Sequence, residues 1–108
     1  MTTPLALDTA RRKDGAVALV AAGEIDLSNV AGFAAALANA ISQNAITEHA
    51  EKLVVVDLSA VEYLDSGAIN VLFNWVDQVR VIANPLLLPV LKVSGLADLT
   101  TVVPPETN

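Results

Sequence analysis

The chain has no cysteine, so disulfides and thiolate metal sites are excluded. Histidine occurs once, as His49, and no second imidazole is present to complete a metal cage or a catalytic pair. Beside glutamates in a polar segment it reads as a solvated side chain. Basic residues are scarce, six against twelve acidic, for a net charge of −6. That balance argues against nucleic acid or an anionic membrane surface as the main partner. Arg11, Arg12 and Lys13 form one short cluster and read as a solvated hairpin end, with the other basic residues scattered. The five glycines are too widely spaced to build a phosphate-cradling loop. The first residues lack both the basic region and the apolar run of a signal peptide. The uncharged stretch from Leu27 to Thr47 contains Ser28, Asn29, Asn39, Ser42, Gln43 and Asn44, which suits a packed Ala-rich helix better than a membrane span. No cofactor, metal, nucleic acid, direct membrane insertion or small-molecule substrate is expected.

What the chain does have is aliphatic bulk. Hydrophobic residues make up 54% of its 108 positions, high for a small domain, so some apolar surface is expected to remain available to a partner. The length suits a single domain over residues 1–108. Leu5 to Arg12 and Ala16 to Ala22 read as strands joined by a tight Asp14-Gly15 turn. Val30, Phe33, Leu37 and Ile41 recur at helical spacing after Asp26 or Ser28, either of which can cap that helix. Asn44 to Lys52 is polar and reads as a loop. Leu53 to Leu58 is apolar without alternation, the pattern of a strand covered on both faces. Ile69, Leu72, Phe73, Val76 and Val79 mark a second helix, and Arg80 to Ala83 a short strand. Pro85 suits the first position of a short third helix, with Pro89 in its first turns, that Gly95 would end. Thr100 to Val103 is a last strand. Strands alternating with helices after an opening hairpin predict an α/β fold: a mixed four- to five-stranded sheet with an N-terminal hairpin and three to four helices packed on it.

The polar elbow Asp65-Ser66-Gly67 between a β-branched run and a helical pattern puts Ser66 at a helix start, where unpaired N–H groups and the dipole favour an anionic substituent. The stretch from Leu53 to Leu72 resembles the STAS domain, in particular the anti-sigma factor antagonists. Gly23-Glu24-Ile25-Asp26-Leu27 is similar to that family's turn before its first helix. Asn84-Pro85 and Leu91-Lys92-Val93-Ser94-Gly95-Leu96 are similar to its asparagine-proline turn and third helix. The resemblance implies a STAS fold and a non-enzymatic regulatory protein of the bacterial cytoplasm. Its partner would be an anti-sigma factor with a histidine-kinase-like ATPase fold, whose capture releases a sigma factor. It also implies a partner surface made of Asp26, Ser28, Asp65, Ser66, Gly67 and Asn70, with Trp75 either an aromatic anchor there or part of the core.

In phosphorylated members of the family the acceptor is usually the second hydroxyl residue of Asp-Ser-Ser-Gly-Leu. Aligned without a gap, Gly67 stands at the acceptor position and Ala68 at the glycine. Two readings follow: Ser66 is phosphorylated despite the displacement, or the acceptor is missing and binding is constitutive. Asp65 or Ser66 caps the second helix in either case. The absent acceptor also suits an alternative, a STAS subunit of a membrane-associated ATPase complex of the lipid-transport type, or a phosphorylation-independent adaptor. Glu24, Asp26, Asp57 and Asp65 do not complete an acid/base site, for no nucleophile or metal cage accompanies them. Asp57 is expected to cap the end of its strand or the following turn. The segment from Gly67 to Asn84 is shorter than in the family, which bears on partner choice.

Overall fold

The structure, a computed structural model, describes residues 4–46 and 52–105. Strands β1 (Ala6–Arg11) and β2 (Val17–Ile25) form the antiparallel hairpin, and helix α1 (Val30–Ala45) follows. Strand β3 (Val54–Leu64), helix α2 (Ser66–Phe73) and strand β4 (Val79–Ala83) come next. A 3₁₀ turn (Pro85–Leu87), helices α3 (Leu88–Val93) and α4 (Leu96–Leu99), and strand β5 (Val102–Val103) complete the described chain. The sheet is ordered β1-β2-β3-β4-β5, with every pair after the hairpin parallel. Sequential parallel crossovers of the usual right hand put their helices on one face. The core follows from that. Val17, Leu19, Ala21 and Ile25 of β2, Val54, Val56 and Leu58 of β3, and Val79, Val81 and Ala83 of β4 share one buried cluster with Phe33, Leu37, Leu72, Leu91 and Leu96. On the opposite face Ala18 and Val55 are buried, whereas Asp57, Ser59, Arg80 and Ile82 are only half-buried.

Strand β3 is longer than the apolar run predicts, because two bulges break its alternation. Val20 pairs Asp57 but Ala22 pairs Ala60, and Gly23 pairs Val61 but Glu24 pairs Tyr63. Each shift inserts one extra β3 residue and flips the side that follows, so Val61 and Leu64 return to the core while Tyr63 stays half-exposed. Gly23, at the second shift, has φ +106°, a conformation that a side chain would strain.

Helix α1 runs through Ala45, past the predicted loop boundary: Asn44 is buried and its Nδ2 donates to the Lys52 carbonyl at 2.8 Å. The rest of the predicted loop, His49 included, lies outside the described residues. Helix α2 stops at Phe73, three residues short of Val76. Residues 74–78 turn tightly instead, with Trp75 N–H donating to Leu72 and Gln78 N–H to Trp75. The Gln78 carbonyl then accepts from Val54 N–H, which starts β4 beside β3. Val79, predicted as helix stripe, is the first residue of that strand. Asn84 accepts from Leu86 N–H and starts the helical segment that Pro85 predicts, and Gly95 at φ +90° ends α3.

Candidate functional site: two helix starts at the carboxyl end of the sheet

In a parallel sheet the carboxyl ends of the strands present the loops that lead into the helices. Strands β2 and β3 both end there, and a hydrogen bond from Asp65 N–H to the Ile25 carbonyl, 3.1 Å, ties the two ends together. The helices then start side by side. A methyl group built on Gly67 would sit 3.7 Å from a Val30 side-chain carbon, so the first turns of α1 and α2 are in contact range. Asp26, Ser28, Asp65, Ser66 and Gly67 are thereby brought to one end of the molecule.

The α1 start is an internally bonded loop. The Asp26 Oδ1 accepts from Ser28 N–H at 2.9 Å and from the Ser28 hydroxyl at 2.5 Å. Asn29 holds the loop's other side: its Oδ1 accepts from Asp26 N–H and its Nδ2 donates to the Glu24 carbonyl, both at 2.9 Å. The predicted cap is corrected here. Neither Asp26 nor Ser28 caps α1; Asn29 occupies the cap position, with no side-chain bond into the helix, and only the Asp26 main-chain carbonyl accepts from Val30 N–H. The Asp26 Oδ1 is turned to Ser28, two residues on, and that Asx turn offers the loop an alternative to capping.

The α2 start fits the prediction. Asp65 is the cap residue in extended backbone, and its Oδ1 accepts from Ala68 N–H at 3.0 Å. Ser66 comes first in the helix, is exposed, and makes no side-chain hydrogen bond among the described residues. Asn70 lies one turn further and is exposed. Trp75 does not join them. It lies beyond the C-terminal end of α2, about 12 Å of helix from Ser66, half-buried and packed against the core.

Two apolar residues at this end escaped the sequence reading. Leu27 is 87% exposed at the tip of the Asp26–Ser28 loop, and Tyr63 is 50% exposed where β3 ends. Leu27 stands between two polar residues, a weak signal that was there to be read. Tyr63 becomes outward-facing only through the second bulge, which nothing in the local pattern announces. Asp57 does not cap the end of its strand. It lies mid-strand at the first bulge, its Oδ1 accepting from Ser59 N–H (3.0 Å) and Ser59 Oγ (2.6 Å).

At the opposite end the basic residues are not scattered. The Asp14 carboxyl is held below its ordinary value, chiefly by the Ala16 N–H and further by the nearby charges of Lys52, Arg12 and Arg80. The fold gathers at the hairpin end what the chain spreads over its length. Among the described residues no helix is long and apolar enough to cross a membrane.

Residues 9–103 match the protein-family profile described as Mlab, STAS domain. No curated protein matches the chain. Among solved structures it is similar to an anti-sigma factor antagonist from Mycobacterium paratuberculosis, with TM-score 0.81 and 21% identity over 97% of this chain and 92% of that one. It is also similar to the anti-sigma factor antagonist SpoIIAA in its unphosphorylated form, with TM-score 0.65 and 20% identity over 91% and 88% of the two chains. The phosphorylated form of the Bacillus cell fate determinant SpoIIAA aligns with TM-score 0.57 and 20% identity over 91% of each. Likeness at these identities establishes a shared fold.

Proposed function

The chain belongs to the STAS-domain family, and from that premise we propose that it is a single-domain anti-sigma factor antagonist, a non-enzymatic binding protein of the bacterial cytoplasm. The observation that carries this reading is the contact of the two helix starts. In this reading Asp26, Ser28, Ser66 and Asn70 make one polar partner surface, with Leu27 and Tyr63, both exposed at this end, as its apolar projections. Its partner is an anti-sigma factor with a histidine-kinase-like ATPase fold, and occupation of that partner frees the sigma factor. Leu27 and Tyr63 supply the desolvated contacts from which binding energy mostly comes, and the polar rim supplies register. Asp65 and Gly67 act from beneath, by fixing where Ser66 points.

A phosphate on Ser66 would be tolerated by the fold, since it would sit over the unpaired N–H groups of the first α2 turn. It would add about two negative charges beside Asp65, against a partner surface shaped for a neutral hydroxyl. SpoIIAA, which shares the fold, exists in both states. The second reading is a STAS subunit of a membrane-associated ATPase complex that needs no phosphorylation. It is favoured by one specific observation, Gly67 at the position where the resemblance puts the acceptor.

Affinity capture from the native host, with partners and bait phosphopeptides identified by mass spectrometry, separates the two. The antagonist reading expects a kinase-like anti-sigma factor, lost when Leu27 is changed to Asp. Transporter subunits without an anti-sigma factor would overturn it in favour of the second.

A further inference from the structure

The sheet face opposite the helices carries a hollow that neither reading uses. Strand register puts Asp57, Ile82 and Val103 in one row across β3, β4 and β5, with Arg80 two residues before Ile82 on the same side. These residues alternate with Val56, Leu58 and Val81, which face the core, so their own side chains face away from it. Arg12 closes the row from the hairpin, and Pro104 and Pro105 wall the far side. The space between them is about 210 Å³. That lies below the roughly 300 Å³ at which drug-sized ligand sites begin. A nucleoside phosphate is too large for it, and a metabolite of a few carbons is not.

The two guanidiniums of this hollow lower the Asp14 carboxyl through space, but no bond fixes either of them. Neither the Arg12 nor the Arg80 side chain makes a hydrogen bond or an ion pair among the described residues, although the chain carries twice as many acidic as basic groups. Asp57 is held in place through Oδ1 by Ser59, which leaves Oδ2 without a partner among the described residues. Two guanidiniums with no hydrogen-bonded or ion-paired partner among the described residues, one fixed carboxylate oxygen and an aliphatic wall make a three-part specification. A carboxylate suits the guanidiniums, which bind it in a fork geometry. A hydroxyl or ammonium suits Asp57, and a second negative charge on the ligand does not. An aliphatic side chain suits Ile82, Val103 and the prolines.

We propose that this hollow binds a small aliphatic amino or hydroxy carboxylate, its carboxylate between Arg12 and Arg80, its donor on Asp57 and its side chain against Ile82 and Val103. The site lies on the sheet face away from the helices, so the ligand is a second input to the domain.

The test is an NMR amide-shift titration of the full chain with four probes: L-leucine, 2-hydroxyisocaproate, isocaproate and isoamylamine. Leucine and the hydroxy acid are expected to give saturable shifts centred on Ser59, Ile82 and Val103. Isocaproate, which lacks the donor, should bind several-fold more weakly, and isoamylamine, which lacks the carboxylate, should not bind. Arg80→Gln is expected to weaken leucine binding about tenfold or more, the scale of a lost charge-assisted pair. Arg12→Gln, at an exposed hairpin position, repeats that test where folding is not at stake. Asp57→Asn, which keeps an acceptor for Ser59, should erase the preference for leucine over isocaproate. Shifts that never saturate, an equal response to isoamylamine, or shifts confined to Arg11–Asp14 would each overturn the proposal. So would binding to phosphatidylglycerol vesicles with no response to the four probes, which would make the basic end a membrane contact instead.

Discussion

The starts of α1 and α2 meet at the candidate site and use similar residues, Asp26-Leu27-Ser28-Asn29 and Asp65-Ser66-Gly67-Ala68, for opposite ends. At α2 the carboxylate serves the helix: Asp65 caps Ala68 and leaves Ser66 exposed with its hydroxyl unengaged. At α1 the carboxylate serves the loop: Asp26 holds Ser28, and Asn29 fastens the loop to β2. One acid is structural and the other shapes a surface. Substitutions at Asp65 therefore mix folding with recognition, whereas substitutions at Asp26 and Ser28 separate them.

The largest effect expected from this contrast is at Asn29. Asn29→Ala deprives the Asp26 N–H and the Glu24 carbonyl of the partners it gives them in a half-buried loop, at a cost of about 2 kcal/mol. Urea denaturation measures it. A loss of only a few tenths would mean that the loop finds other partners and that the tie to β2 is dispensable. Asp65→Ala should cost less, about 1 kcal/mol for a lost cap, or roughly 4–8 °C in Tm for a domain near this size. Asp65→Asn should keep most of that stability, because its amide oxygen can accept from Ala68. If Asp65→Ala were silent in the melt while Asp26→Ala was not, the assignment of roles would be reversed.

That contrast was only half legible in the chain. The elbow at Asp65 announces itself, since a capping residue between a β-branched run and a helical pattern has few other uses. At the elbow before α1 the residue types point to Asp26 or Ser28, and that Asn29 takes the cap position instead depends on where the Glu24 carbonyl lies, a fact of the tertiary structure. The alternation of strands and helices and the hairpin turn were legible because period and turn chemistry are local. The second half of β3 was not, because each bulge flips the pattern by one residue and makes a strand look like loop. The end of α2 was overextended for the converse reason: Val76 and Val79 keep helical spacing, but Val79 faces the core from a strand. The basic end is a third case. Arg12, Lys52 and Arg80 are far apart in the chain and converge only because β2, β3 and β4 lie parallel with their amino ends together.

Asp26→Ala and Ser28→Ala sharpen the comparison from its other side. Ser28 is exposed, and each change removes hydrogen bonds that water can replace, so the expected stability loss is within about 0.5 kcal/mol. Binding to the anti-sigma partner should fall by about tenfold for Asp26→Ala, since Leu27 would no longer be presented on an ordered loop. Calorimetric titration of the partner, set beside the melting curve of each variant, reads both quantities. A fall in stability that matches the fall in affinity would make the α1 loop a structural element like its neighbour and erase the distinction.

The smallest expected change in stability tells the two functional readings apart. Gly67→Ser adds a side chain at a helical position with ordinary backbone angles. Its Cβ would lie 3.7 Å from Val30, an ordinary contact, but 3.2 Å from the Asp65 Oδ1, so the capping carboxylate must give by a few tenths of an ångström. Replacing a helical glycine gains about 0.5–1 kcal/mol, and crowding the cap takes back a similar amount, so the net change is within about 0.5 kcal/mol of zero. The variant thus supplies an acceptor hydroxyl beside Ser66 on an unchanged fold. If the partner carries kinase activity and the absence of an acceptor makes the natural protein a constitutive binder, phosphate should appear at position 67 of the variant and release the partner, while the natural chain stays unmodified and bound. If phosphate appears on Ser66 of the natural chain instead, the displaced hydroxyl is itself the switch, and the introduced one should compete with it. A partner that modifies neither chain, yet still binds both, is not a kinase acting on this elbow, and the reading as a subunit of a membrane-associated complex then stands in its place.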